Sequence, residues 1–391
     1  MRILTCTPVA FGGGEDFFAR DSGLLSRGLR LLEIESHAVM PGEPQPGDLD
    51  ELQRTDFRNL ESAAWWKSQH ADGVVLYAWG RPKFRKVAAA IHEAGIFLIL
   101  NQDNGGLVSP LAGSRDWLRE QWIMTGGGRG ALAWIEFVKR TLRGVTAGVF
   151  LTDPLRAAHL RNGDVIACVS PKAAEHYRKL CRMYGGVSLA ARVTVLPHAV
   201  EPRFRFDGRE KQRQIACIGR WDDEVQKRPW LLMDVIDGLL AKDSDVCVVI
   251  AGKATAAMHD WHGRMDDSKR QRVRLCGRME RDTLAELLAD SQIFYSPSVF
   301  ESFGIAAAEA LCAGCSVVAG RSVSMASFEW FVSENSGTLA ESDAALDHLA
   351  ALSAELKHWD GAQRNAARIS EIWCERLHAE KVAARIVGMI G

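Results

Sequence analysis

Short apolar runs rich in valine, isoleucine and leucine recur along the whole chain, and each is followed by a stretch long enough to form a helix and pack back. Few folds accept strict alternation of strand and helix, because consecutive parallel strands need crossover connections whose helices cover both sheet faces. The class read from this pattern is α/β with parallel sheets. Strands are predicted at 2–6, 36–40, 73–77, 97–100, 165–169 and 193–196 in the first half. In the second half they are predicted at 214–218, 246–251, 273–275, 293–295 and 317–319. A chain of 391 residues exceeds what one hydrophobic core usually serves, and an apolar content of 47% can fill two. The change of domain is expected at 197–207, where Pro197, Pro202 and several charges interrupt the pattern. This gives a first domain over 1–200 and a second over 201–373.

The run SVFESFGIAAAEALCAGCSVVAG, residues 298–320, concentrates the chemistry. The apolar stretch before it ends at Pro297, which cannot continue a strand ladder. From Gly304 to Ala313 the chain is rich in alanine and leucine, and Gly314 stands where a helix end favours a left-handed residue. The first amides of such a helix, near Phe303, Gly304 and Ile305, lack intrahelical acceptors and carry the positive end of its dipole, so a phosphate or sugar hydroxyls can dock there. Glu301 precedes that end and Glu309 lies about a turn and a half inside it. At such different depths the two carboxylates suit hydroxyls at opposite ends of an extended ligand better than a shared proton, as in a hydrolase pair. As an isolated pair they would read as a solvated loop residue and a surface helix residue; the strand before and the strand after favour a site.

Two further segments fit an anionic ligand. The predicted strand 214–218 leads to Gly219-Arg220, with Lys227 seven residues on and a helical run over 230–240 after it. A forked guanidinium and a point-charge ammonium can neutralise a leaving diphosphate, although the same loop holds Asp222, Asp223 and Glu224 and alone would read as a solvated charged turn. At the N-terminus, Phe11-Gly12-Gly13-Gly14-Glu15 follows the first strand, and consecutive glycines let a backbone approach a diphosphate closely. The spacing is not Gly-x-Gly-x-x-Gly, and Glu33 and Glu35 precede the second strand instead of closing it, which counts against a nicotinamide site.

Glu301-Ser302-Phe303-Gly304, Glu309-Ala310, Gly314 and Val317-Val318-Ala319 together resemble the two-glutamate signature of retaining glycosyltransferases of the GT-B architecture, the group 1 type of glycosyltransferase family 4. The likeness is specific over about 25 residues; it is strong over most of the second half and extends to the first half only in pattern. It implies two Rossmann-like domains facing across a cleft. The donor site it implies has Glu301 on the sugar hydroxyls, Glu309 on the ribose, and Arg220 and Lys227 on the diphosphate. The amides of Phe303, Gly304 and Ile305 would hold the sugar, the backbone near Arg278 and Met279 the base, and Gly13 and Gly14 would face the phosphates from the first domain. The donor is expected to be UDP- or GDP-linked, with a hexose-type sugar transferred with retention and without a metal or other cofactor. The leaving phosphate would then help take the acceptor proton.

Asp103, in Leu100-Asn101-Gln102-Asp103-Asn104-Gly105-Gly106, suits a polar, sugar-facing position and is carried as a catalytic candidate; Gln102 stands where relatives often have a histidine. An Asx-rich turn satisfying its own backbone fits the same residues. The segment 193–200 resembles the family's interdomain turn, but His198-Ala199 stand where an Asn-Gly pair is usual, and the resemblance gives His198 no role. Helical runs over 361–372 and 374–389 resemble the terminal helices, and the last, 374–391, is expected to complete the first domain.

Lys and Arg total 48 against 49 Asp and Glu, which argues against nucleic-acid binding through a global basic field. Of the nine cysteines only Cys312 and Cys315 stand at a Cys-x-x-Cys spacing, and a single such pair supplies neither a disulfide framework nor the four ligands of a structural zinc site, so neither is expected; Cys6, Cys168, Cys217 and Cys247 read as small core residues, and a reducing cytoplasm as the compartment. Met1 opens no signal-like run, and no stretch approaches the about 20 apolar residues of a membrane span. Six of the twelve tryptophans, Trp65, Trp66, Trp79, Trp117, Trp122 and Trp134, lie in the first half; most are expected in the core or partly in it, and some could form apolar platforms for a sugar ring or an aglycone. Residues 132–143 mix Trp134, Ile135, Phe137 and Val138 with Lys139, Arg140 and Arg143. That mix could lie on the inner face of an anionic membrane; a helix packed on its own sheet is the preferred expectation. The acceptor, whether saccharide, lipid-linked sugar or small molecule, is not written in these residues. A nucleotide-sugar epimerase, a phosphorylase or a non-catalytic nucleotide-sugar-binding module would share the same donor residues.

Overall fold

The computed structural model describes residues 1–126 and 130–391. The chain divides into two compact units, Met1–Glu201 with Leu377–Gly391, and Pro202–Arg376. Unit 1 is built on β1 (Ile3–Cys6), β2 (Ala38–Pro41), β3 (Leu52–Thr55), β4 (Gly73–Tyr77), β5 (Phe97–Gln102), β6 (Val165–Cys168) and β7 (Val193–Val195). These form one seven-stranded sheet in the order β3-β2-β1-β4-β5-β6-β7, every pair parallel. Unit 2 contains β8 (Gln212–Ile218), β9 (Cys247–Ala251), β10 (Val273–Gly277), β11 (Ser291–Ser296), β12 (Ser316–Gly320) and β13 (Gly337–Ala340). Its six-stranded parallel sheet has the order β10-β9-β8-β11-β12-β13.

The central strands are apolar on both faces because helices cover both. All five residues of β4, GVVLY, are buried. Pro229 opens the helix Pro229–Lys242, whose Leu231, Leu232, Val235, Ile236, Leu239 and Leu240 recur at helical spacing and bury one stripe in the core of unit 2. The two strands absent from the sequence reading, β3 and β13, are both sheet edges. Each has one long side open, and three of four residues in each are half-exposed, so neither shows an apolar run.

Three expectations are corrected. The break between the terminal helices, predicted at residue 373, lies at His378: Trp373 is fully buried inside Ala366–Leu377, and the last helix is Ala379–Ile390. That last helix lays Val382, Ala383 and Ile386 on Leu24, Leu25 and Leu29 of unit 1. Cys247 is exposed because it opens β9 before the strand enters the core, whereas Cys6, Cys168 and Cys217 are buried. The helix Ala131–Arg143 does not pack on its sheet. Neither it nor the π-helical continuation Gly144–Thr152 buries a single residue, and Leu132, Trp134, Ile135, Leu142, Phe150 and Leu151 are all exposed. Of the six tryptophans, Trp66 and Trp117 are core and Trp65 and Trp79 pack half-buried against it, as expected, while Trp134 is half in solvent and packs edge-on against Trp122 and Phe137.

Candidate functional site

In unit 2 the chain runs from β8 outward through β9 to β10, then crosses back to place β11 on the other side of β8. Ligands of open parallel sheets bind at such a reversal, outside the carboxyl ends of the strands. The two loops that leave β8 and β11 there carry Lys227 and Glu301. Their side chains form an ion pair, each about 15% exposed.

Local backbone bonds fix both loops. Trp221 is buried and donates its indole N–H to the Ala251 carbonyl at 2.9 Å, pinning the start of the β8 loop. The short helix Glu224–Lys227 is capped by the Asp223 carboxylate. Gln226 Nε2 donates to the Phe300 carbonyl at 2.9 Å, and the Val299 N–H donates to the Gln226 carbonyl at 3.0 Å. Arg228 takes the left-handed conformation at φ +46° and donates to the carbonyls of Pro297 at 2.6 Å and Ser298 at 3.3 Å and to Asp343 at 2.8 Å. The loop leaving β11 is therefore held from beneath by a buried guanidinium. Sequence reasoning missed Arg228; its signal was the Lys-Arg-Pro step, since a proline at the first helical position forces the chain to turn just before it.

Gly304 sits at φ +87°, and a Cβ there would come within 2.7 Å of the Phe328 ring. Only glycine gives this turn so close an approach. It opens the eight-residue helix Ile305–Cys312, whose N-terminus has no side-chain cap, while Phe303 is buried against Phe331. Gly314 ends the segment in the left-handed region, as predicted. Glu309 is buried inside the helix, not solvated on its surface, and accepts a hydrogen bond from Arg281 Nη2 at 2.7 Å. Arg281 opens the helix Arg281–Asp290 that follows β10, and its guanidinium lies over the Phe204 ring at 4.6 Å. A cation in a first helical turn opposes the dipole, so Arg281 signalled the need for an acidic partner.

The predicted residues do not converge into one contact set. Lys227 and Glu301 meet; Glu309 is engaged by Arg281; Arg220 is largely exposed beside Asp223 at 3.8 Å; and Arg278 and Met279 follow the carboxyl end of β10, the first exposed and the second half-buried. All six lie in segments at the carboxyl side of one parallel sheet.

In unit 1 the reversal lies between β1 and β4. A cavity of about 590 Å³ opens there, lined by Thr7, Phe11, Gly14, Asp21, Tyr77 and Trp79 among others. Gly14 lines it, but Gly13, expected beside it, does not. Gly13 is buried, and a Cβ there would overlap Leu52 and the Asp48 carboxylate. The Arg54 guanidinium, at 2.5 and 2.7 Å, holds the Asp48 carboxyl down at about 2.

Asp103 is engaged by His198, whose Nε2 lies 3.0 Å from Asp103 Oδ1 and whose Nδ1 lies 3.6 Å from Asp21 Oδ1. Burial alone would push the imidazole down, but the two facing carboxylates outweigh it and raise it to about 9. The ring nitrogens address different carboxylates, so one metal ion could use only one of them. Asn104 satisfies the turn: its Oδ1 accepts from the Gly106 N–H at 3.0 Å, as the Asx-turn alternative requires.

Residues 212–356, all in unit 2, match the family model described as glycosyl transferases group 1. No curated protein matches the chain. Among solved structures the whole chain aligns with HepE of Anabaena in complex with UDP at a TM-score of 0.63 and 12% identity, covering 100% of this chain and 99% of that one. It aligns with the lipopolysaccharide outer core galactosyltransferase WaaB at 0.64 and 14%, covering 100% and 99%. A glycosyltransferase from Rickettsia africae aligns at 0.63 and 13%, covering 100% and 97%. The chain has the GT-B fold of these structures, and within its second unit residues 212–356 match the model of the group 1 glycosyl transferases.

Proposed function

We propose that the protein is a retaining glycosyltransferase that moves a hexose-type sugar from a UDP- or GDP-linked donor, held by unit 2, to a hydroxyl acceptor held by unit 1. The carrying observation is the Lys227–Glu301 pair, formed by the two loops that flank the sheet reversal. A donor entering there separates the pair: its diphosphate takes the ammonium and its sugar hydroxyls take the carboxylate. The relative HepE is solved with UDP and with UDP-glucose, which supports a uridine donor.

As the bond from C1 of the sugar to the diphosphate breaks, negative charge builds on the leaving oxygen. Lys227 meets it from a half-buried position and Arg220, exposed on the same loop, completes the clamp. These two cations supply the charge that the departure needs without a metal. Glu301 and the uncapped amides at Gly304 and Ile305 orient the sugar. Glu309, fixed by Arg281, accepts from the ribose hydroxyls, and the backbone at Arg278 and Met279 meets the base. The acceptor oxygen bonds to C1 on the face the diphosphate leaves, and its proton passes to the leaving phosphate oxygen.

The test is a panel of UDP- and GDP-hexoses with product analysis. Nucleoside diphosphate released in step with a new glycoside is the expected result. A free altered sugar would instead identify an epimerase, sugar 1-phosphate formed from a glycoside and inorganic phosphate a phosphorylase, and ligand-induced thermal stabilisation without product a binding module.

The exposed apolar side chains of 131–152, with Lys139, Arg140 and Arg143 beside them, support a further part of this reading: contact with the surface of an anionic membrane in the cytoplasm. Among the described residues no helix is long and apolar enough to cross a membrane. The protein is expected to sediment with vesicles containing phosphatidylglycerol and not with phosphatidylcholine alone. Leu132→Ser with Phe150→Ser should release it; sedimentation unchanged by the pair of substitutions would remove the membrane assignment.

A further inference from the structure

We infer that His198 is a positioning residue that holds the Asp21 carboxylate at the wall of a saccharide-binding cavity in unit 1. The choice of ligand rests on the glycosyltransferase reading, whereas the geometry rests on unit 1 alone.

The cavity lies where the seven-stranded sheet reverses, at the carboxyl ends of β1 and β4. One part of its wall is aromatic: Tyr77 at the end of β4, Trp79 just beyond, and Phe11 edge-on to Trp79 at 6.5 Å. Another part is acidic and hydroxylic, with Glu15, Asp21, Thr7 and Ser22. A sugar ring has a matching division, with C–H faces that stack on aromatic rings and hydroxyls that donate to carboxylates.

Asp21, like Trp79 at φ +50°, is a constrained member of this wall. It opens the helix Asp21–Leu31 at φ +51°, a region that non-glycine residues enter rarely and keep only when their surroundings hold them there. His198 supplies that hold. It is almost wholly buried, its Nδ1 lies 3.6 Å from Asp21 Oδ1, and its ring stacks on Tyr77 with centroids 6.1 Å apart. Its other nitrogen is anchored by Asp103 at 3.0 Å. One ring thus sets two cavity residues, Tyr77 and Asp21, from behind. At 3.6 Å it orients the Asp21 carboxylate as an ion pair, leaving that carboxylate able to accept from a ligand hydroxyl.

The groups facing the ring are Asp21, Asp103 and Tyr77, and Arg20 lies 3.9 Å from Asp21. The Tyr77 hydroxyl is pushed well above its usual range, by burial first and by the two aspartates, so it keeps its proton through alkaline pH. The imidazole, raised to about 9, is a cation at neutral pH and loses that charge as pH rises through 9.

The test uses the full chain without donor, titrated by calorimetry with methyl α-D-glucopyranoside, methyl α-D-galactopyranoside and methyl α-D-mannopyranoside between pH 6 and 10.5, alongside a UDP titration. At least one glycoside is expected to bind, with affinity level to pH 8 and falling across 9. Asp21→Asn removes the charge yet tolerates the left-handed backbone, and should weaken binding about tenfold or more. His198→Gln should weaken it and abolish the alkaline fall, and Trp79→Ala should weaken it from the aromatic part of the wall. Wild-type affinity in both Asp21→Asn and Trp79→Ala, or a wild-type profile flat through pH 10.5, would overturn the inference. UDP binding with no glycoside bound would overturn it while leaving the donor site intact; glycoside binding without UDP binding would uphold it and remove the transferase reading.

Discussion

Lys227→Met and Glu301→Gln are each expected to slow glycosyl transfer by about 10²–10³-fold, roughly 3–4 kcal/mol of lost transition-state stabilisation. The reason differs between the two. Lys227 acts on charge that exists fully only as the diphosphate departs, so its loss should fall on kcat. Glu301 grips hydroxyls present in the bound donor as well as in the transition state, so its loss should raise KM and lower kcat together. The pair also has a structural consequence without ligand, because each side chain is about 15% exposed and each single substitution leaves its partner without that counter-charge. The double variant Lys227→Met with Glu301→Gln removes both charges and should recover thermal stability relative to either single variant. It should not recover transfer. Stability and transfer measured on all four proteins separate the roles: if the double variant regained wild-type turnover, the pair would be a loop clamp and the donor assignment would fall.

The legibility of the fold followed burial. β4 and β11 were readable because every residue of the first and nearly every one of the second sits inside a covered sheet, whereas β3 and β13 present an open edge to solvent and read as loop. The site was legible where its chemistry is local. Glu301, Gly304 and Glu309 lie within nine residues of one another, and the glycine's φ of +87° follows from the turn it makes. Contacts between distant segments were not legible. Nothing near Lys227 says that its partner lies 74 residues away, or that Arg228 rather than Lys227 fastens the two loops together. The surroundings of Gly13 were hidden for the same reason: the Asp48 carboxylate that packs against it arrives from the next crossover, held by Arg54. His198 stood out only as a departure from the resembled turn, and its meaning came from Asp21 and Asp103, 177 and 95 residues earlier.

Arg364→Met is expected to destabilise unit 2 by about 3–5 kcal/mol at pH 7, the cost of leaving a buried carboxylate without its cation. Glu355 is fully buried on the helix Ala345–Asp360, and Arg364 grips both its oxygens at 2.6 and 2.8 Å. Thr338 of the edge strand β13 donates to the same carboxylate at 2.6 Å, and Arg364 reaches Asn335 and, at 3.4 Å, the Gly337 carbonyl. The network therefore fastens an edge strand, open along one side, to the helix that covers it. Burial would raise the Glu355 carboxyl, but bonds from Arg364, Thr338 and Ser316 and the Arg364 charge outweigh it and hold it below its usual value. A depressed carboxyl contributes stability that is fully present above the unfolded value of 4.5 and lost as pH falls through the lower folded one. In Arg364→Met that depression disappears, and the stranded carboxylate is relieved by taking a proton. The stability gap between wild type and variant should therefore be widest near pH 7 and narrow towards pH 4. Glu355→Leu added to Arg364→Met removes the stranded charge and should regain most of the loss at pH 7. Urea unfolding of the three proteins at both pH values reads this directly. A gap for Arg364→Met below about 1 kcal/mol, within the ordinary range for surface substitutions, or one independent of pH, would mean that the pair does not hold β13 to its helix.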